Sequence, residues 1–198
     1  MEVEEPIIAE VKPLDIEKVI ERLNRVSPNE TLDLLNAEEK KSIDPTVGIV
    51  LVRLSDLFPE KYPSYKTEKG LEYHFYAARV LPHNGVRQSY VTPHYHKYGE
   101  EPYIIHRGEK GEMNRGRVEN GKVVYERKDV VGSKETIVVA EGQVHSLFNP
   151  NPNQEVDFVF ACPTEHLIDY DEKHPEGDRY IVKDLPGGIP ESYFMQKA

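Results

Sequence analysis

Two histidines two residues apart, His94 and His96, are followed by Glu101 and Gly108, and a further histidine, His145, stands in a distant stretch of the chain. Residues two apart on a strand face the same side. A carboxylate just beyond them and an imidazole from another strand could therefore close around one metal ion. Three imidazoles and one carboxylate suit Fe, Mn, Co, Ni or Zn and leave positions for water or substrate. Glu100 competes with Glu101 for the carboxylate role. Neutral imidazole is the ligand form, so binding should weaken below the histidine pKa of ~6.5.

These side chains need a rigid support. The first forty-odd residues read as helical. Asp15 can cap a helix with Ile16, Val19, Ile20 and Leu23 on one face. Ser27-Pro28-Asn29-Glu30 signals a second start, with Ser27 as cap, Pro28 at the first helical position and Glu30 completing a capping box. Leu32, Leu35 and Ile43 should bury, and Asp44-Pro45 should stop the helix. Short stretches rich in Val, Ile, Tyr and Phe follow at 47–54, 73–81, 89–96, 102–106, 112–118, 123–127, 136–139 and 155–162. Asn120-Gly121 is the turn of a hairpin. This pattern predicts an all-β sandwich or small barrel. Residues 59–70 read as a surface loop. The tail from Asp169 reads as loop-rich, with Pro186-Gly187-Gly188 and Pro190 opposing regular structure. The resulting division is a helical extension at 1–45, a β-barrel at 46–168 and a tail packed on it at 169–198.

The chain has 198 residues, enough for one sizeable core, and a formal net charge of −10, which argues against nucleic acid as a partner. The single cysteine, Cys162, cannot form an internal disulfide or a Cys-rich zinc site. No apolar run reaches the ~18 residues of a membrane span. The acidic start has no signal-peptide shape, so the expected location is cytoplasmic.

The spacing His94-x-His96-x4-Glu101-x6-Gly108, with Gly142-x2-His145-x3-Asn149, resembles the two motifs of the cupin superfamily; Ala140 stands where the family usually has Pro. The resemblance implies a double-stranded β-helix, the jelly-roll barrel, binding one divalent transition metal through His94, His96, Glu101 and His145, and pairing as a homodimer. A finer resemblance, to the archaeal-type cupin phosphoglucose isomerases, rests on Glu101-Pro102-Tyr103, on Gly108 to Met113, on Thr92 ahead of His94, and on His166, Asp169 and Tyr170. Pro93 departs from that pattern, as does a shorter gap between His96 and Glu101. This likeness implies aldose–ketose isomerisation of a sugar or sugar phosphate. Glu101 would be the base, and Tyr103, His166 and Tyr170 would line the site. Thr92, Lys97 and Arg107 would be substrate phosphate contacts. The alternatives are an Fe(II)-dependent dioxygenase, whose acidic or aromatic substrate would need a dedicated Arg (Arg79, Arg87, Arg107, Arg115 or Arg117), and a non-enzymatic binder of metal and a small ligand.

Overall fold

A computed structural model describes residues 16–42, 44, 47–67, 70–82, 87, 89–108 and 111–182. The expected features at Asp15, Ile43, Pro45, Glu109, Lys110 and 186–190 lie outside the described residues.

Two helices, α1 (Ile16–Asn24) and α2 (Pro28–Glu39), lead into β1 (Ile49–Arg53), a one-turn helix α3 (Leu54–Leu57), β2 (Tyr65–Lys66) and β3 (Glu72–Val80). Then come β4 (His94–Tyr95), β5 (Glu101–Arg107), β6 (Gly111–Glu119), β7 (Lys122–Val131), β8 (Thr136–Val139), β9 (Val144–Phe148) and β10 (Val156–Pro163). A 3-10 turn (Thr164–Leu167) and β11 (Tyr180–Ile181) complete the described elements. One antiparallel sheet runs β1-β3-β10-β5-β8, with β2 on β3, and the other runs β11-β4-β9-β6-β7. Nearest neighbours in these sheets are mostly distant in sequence, the winding of a jelly roll.

Strand β10 shows why the layers form. Its period of two sends Val156, Phe158, Phe160 and Cys162 into the core between the sheets, while Val159 and Ala161 pack outward with Val19, Leu23 and Leu35 of the helices. Both faces are buried, so the strand reads as a continuous apolar run. Strand β3 divides likewise, with Tyr76, Ala78 and Val80 inside and Phe75 and Ala77 beneath the helices. Arg79 belongs to the outward set. It meets its register partner Asp157 through Nε (2.7 Å) and Nη2 (3.0 Å), and its Nη1 reaches Asn36 and Glu39 of α2. Arg79, held within the sheet by its buried pair with Asp157, thus ties α2 to the sheet through Asn36 and Glu39.

Three local expectations change. Ser27 occupies the N-cap position before Pro28, but its side chain makes no cap hydrogen bond. The capping box does not form because Lys61 and Tyr62 claim the Glu30 carboxylate, at 2.6 and 3.3 Å. Within 59–70, Tyr62 is buried and Tyr65–Lys66 pair with β3, so this stretch is not purely a surface loop. Strand β9, expected only as the carrier of His145, was not among the stretches that composition marked as strands. His145 and Ser146 interrupt its apolar pattern, yet all five residues are buried between β4 and β6. The Asn120-Gly121 turn has φ of 52° and 70°, the positive pair that a tight hairpin requires.

Candidate metal centre

Strand pairing builds the centre. His94 lies opposite His145 in the β4–β9 register. His96 shares the face of His94, and Tyr95 turns outward to stack on Tyr180 at 5.0 Å. From the facing sheet, β5 sends Glu101 and Tyr103 inward. The turn between β4 and β5 depends on Gly99, at φ +83°, where a Cβ would fall 2.5 Å from the Tyr73 hydroxyl. At the far end of β5, Gly108 has φ +127°, and a Cβ there would press on Val156 and the Glu155 carbonyl. That close approach is the physical content of the motif glycine.

The hydrogen bonds around the rings assign their tautomers. Nδ1 of His94 lies 2.6 Å from the Thr92 carbonyl, that of His96 2.9 Å from the Asp178 carbonyl, and that of His145 3.2 Å from the Gln143 carbonyl. A carbonyl only accepts, so each Nδ1 carries the hydrogen and each Nε2 offers a lone pair. Glu101 Oε2 sits 3.1 Å from His96 Nε2 and 3.4 Å from His145 Nε2. These are acceptors facing acceptors. His96 Nε2 and Glu101 Oε2 are buried without a hydrogen-bond partner. The Tyr103 hydroxyl approaches His145 Nε2 at 3.3 Å.

A cation resolves this arrangement. Donors at ~2.1 Å from a shared ion stand ~3.0–3.4 Å from one another when adjacent, and one donor atom from each of His94, His96, Glu101 and His145 falls within 4.8 Å of the others. The cluster could hold a metal ion. Burial raises the Glu101 carboxyl, while hydrogen bonds and positive charge from His145 and His96, were they protonated at Nε2, would bring it well below the usual carboxylate range; the neutral Nδ1–H tautomers withhold both, and a cation would supply the missing positive charge. Burial, reinforced by the neighbouring imidazoles, pushes His94 well below its ordinary value. His145 is lowered by burial despite Glu101. Neutral imidazoles and an anionic carboxylate are the forms a metal needs.

His166, from the 3-10 turn, lies directly against this group. Its ring stacks on His96 at 3.8 Å with planes 6° apart. Its Nε2 donates to the Tyr98 carbonyl at 2.6 Å, and its buried Nδ1 has no hydrogen-bond partner, 4.0 Å from Glu101 Oε2. Imidazole lone pairs lie in the ring plane, so two stacked rings cannot both aim at one ion. His166 therefore abuts the four donors rather than joining them. Burial, then His96, lowers it to about 4. Cys162 is near Glu101 and His166, and burial followed by the Glu101 charge pushes its thiol well above the ordinary range.

The remaining expected residues fall elsewhere. Glu100 is exposed, and its carbonyl accepts from Tyr73. Thr92 contributes its carbonyl to His94. The Lys97 ammonium lies over the rings of Tyr180 and Tyr170, at 4.2 and 5.7 Å. Tyr170 is 48% exposed and stacks on Tyr180. Arg107 ends β5, roughly 20 Å along the strand from Glu101, and pairs with Glu155 and Asp157. The motifs hold no sign of Asp178, Arg179 or Cys162. The Asp178 carboxylate accepts the Lys97 and Tyr98 N–H groups, both at 3.0 Å, while its carbonyl holds His96. Above the centre opens a cleft of about 160 Å³. Leu51, Val91, Phe158, Phe160 and Leu167 wall it, and His94, Glu101, Tyr103, His166 and Arg179 supply its polar groups.

No helix among the described residues is long and apolar enough to cross a membrane. No protein-family profile matches the chain, and no curated protein matches it. Solved structures do. An oxalate oxidase in complex with glycolate aligns over 60% of this chain and 52% of its own, at 18% identity and TM-score 0.42, so the chain spans about half the length of that protein. A cupin-like protein from Thermotoga maritima aligns over 76% of this chain and 84% of its own, at 14% identity and TM-score 0.42. A provisionally assigned sugar phosphate isomerase from Acidithiobacillus ferrooxidans aligns over 59% and 60%, at 13% identity and TM-score 0.41. Likenesses this distant carry no functional argument. The chain folds as a double-sheet jelly roll of the cupin type, in which the motif side chains gather at one point in a cluster that could hold a metal ion.

Proposed function

We propose that the chain is a metal-dependent enzyme whose small organic substrate enters an apolar cleft and meets the ion at its floor. The observation that carries this reading is the buried pair of His96 Nε2 and Glu101 Oε2, 3.1 Å apart and both without a hydrogen-bond partner, with His145 Nε2 at 3.4 Å from the same oxygen. Left alone, such a set costs free energy; it is retained where a ligand answers it. A bound metal would supply Lewis acidity and a template for substrate oxygens. The chain does the rest. Phe158, Phe160 and Leu167 exclude water, Glu101 stays anionic, and Tyr103 keeps its proton because burial, then the Glu101 charge, raise its hydroxyl well above 10. A cleft of about 160 Å³ lies below the ~300–1,000 Å³ of drug-sized sites, so the substrate is small.

Apolar walls and an arginine favour oxidative chemistry on a small acid over isomerisation of a polyhydroxylated sugar phosphate, because Lys97 and Arg107 do not line the cleft. One observation favours isomerase chemistry instead: Glu101 and Tyr103 share a strand face beside the proposed metal, a carboxylate and a hydroxyl placed to move a proton. The deciding experiment measures metal content, then oxygen uptake by Fe(II)-loaded protein with catechols, acireductones, thiols and small carboxylic acids. Fructose 6-phosphate conversion is followed in parallel. Substrate-dependent oxygen uptake supports the oxidative reading. Glucose 6-phosphate formed without uptake replaces it with isomerisation, and stoichiometric metal with neither leaves a binding protein.

A further inference from the structure

We infer that Arg179 holds the carboxylate of the substrate, making the substrate a small acid with an apolar body; the inference rests on the cluster being a metal-dependent active site. The placement follows from strand alternation. In the β11–β4 register Ile181 lies opposite His94 and Tyr180 opposite Tyr95. Tyr180 stacks with Tyr95 on the outer side. Arg179, one residue earlier, falls on the inner side with His94 and His96. Its backbone is pinned there: its N–H donates to the Ile168 carbonyl at 3.1 Å and its carbonyl accepts from Tyr170 at 2.9 Å.

The guanidinium lines the same cleft as His94, Glu101 and Tyr103, and among the described lining residues it is the permanent cation. Its side chain is 24% exposed, and Nη1 pairs with Asp169 at 3.2 Å, whose own side chain is 56% exposed. An ion pair open to water is worth little. A carboxylate entering an apolar cleft can take two parallel hydrogen bonds from the planar fork, which are stronger and less screened. Asp169 is therefore a counter-ion that substrate displaces. A single guanidinium matches one negative charge. A phosphate monoester brings about two, and no lysine stands beside Arg179 among the described lining residues to match the second. The walls of Leu51, Val91, Phe158 and Phe160 suit a hydrocarbon or aromatic body.

The test uses calorimetric binding of benzoate, neutral benzamide and phenyl phosphate to the full-length Zn(II)-loaded protein, with zinc content measured for every variant. Benzoate should bind about tenfold more tightly than benzamide, the worth of a charge-assisted pair. Arg179→Gln should bring benzoate down to the benzamide level with zinc content unchanged, and Arg179→Lys should recover part of the loss. Unaltered benzoate affinity in zinc-bound Arg179→Gln overturns the assignment, as does phenyl phosphate binding more tightly than benzoate. Asp169→Asn tests it independently of whether the arginine variant folds: benzoate affinity should rise, and an unchanged or weaker value overturns the exchange. Failure of the unaltered protein to take up zinc would instead strike the metal-centre reading beneath.

Discussion

Two buried polar clusters occupy opposite faces of the same sheet. On the outer face, beneath the helices, Arg79 and Asp157 answer each other with paired hydrogen bonds, Asn36 and Glu39 take the remaining reach of Arg79, and Arg107 Nε adds a third contact to Asp157 at 3.1 Å. On the inner face, Glu101 and the imidazoles are just as buried, yet His96 Nε2, His166 Nδ1 and Glu101 Oε2 lack hydrogen-bond partners. The first cluster is complete as it stands, because every charge meets an opposite charge. The second is built from groups of one polarity. Unanswered buried polar atoms cost on the order of 1–3 kcal/mol each. What separates the two clusters is completeness of pairing rather than burial or charge.

The contrast can be broken most forcefully at Arg79. Arg79→Met leaves Asp157 charged beneath the helices and should cost about 3–5 kcal/mol in urea unfolding, equally with and without metal. A metal-dependent loss would erase the distinction between the clusters. The inner cluster should instead respond to pH. His166 has its folded value lowered to about 4, below the unfolded ~6.5, so between these pH values the unfolded chain binds the proton that the folded chain refuses. Stability of metal-free protein should therefore fall as pH drops through this window, His166 accounting for roughly 3 kcal/mol by pH 4. Replacing His166 by Gln should flatten the pH profile, and an unchanged slope would show that His166 is not held neutral.

Metal itself should stabilise the protein by about 2.7 kcal/mol at a hundredfold excess over its dissociation constant. His96→Ala should lose that gain and hold far less than one metal per chain, measured by elemental analysis and thermal unfolding; full metal content would remove His96 from the centre. Tyr103→Phe should leave metal content intact while lowering turnover, and unaltered turnover would reduce Tyr103 to packing. The smallest effect belongs to Glu100→Gln, expected to stay within about 0.5 kcal/mol of the parent with its activity kept, whereas Glu101→Gln should abolish turnover. The reverse order would move the carboxylate role to Glu100.

Much of the barrel could be read from alternation. The stretches expected at 73–81 and 155–162 correspond to β3 and β10, and the Asn120-Gly121 turn forms as the positive-φ rule requires. Strand β9 escaped because His145 and Ser146, the residues that make it useful, break the apolar signature of a central strand. Glu30 left its helix-capping role for Lys61, a residue on a distant loop whose approach no local rule predicts. Arg107 looked available for substrate as a cation near the motif; its strand direction carries it to the opposite end of the sheet.

Local chemistry alone settled that His94 and His96 share a face and that Glu101 and Tyr103 share another. Those are properties of backbone period, written within a few neighbouring residues. Closure of the two sheets decided the rest: that His166 stacks on His96, that Asp178 fixes the His96 tautomer, and that Arg179 joins the cleft. Each of these comes from a segment without regular pattern, and its partners are found only once strands far apart in the chain have paired.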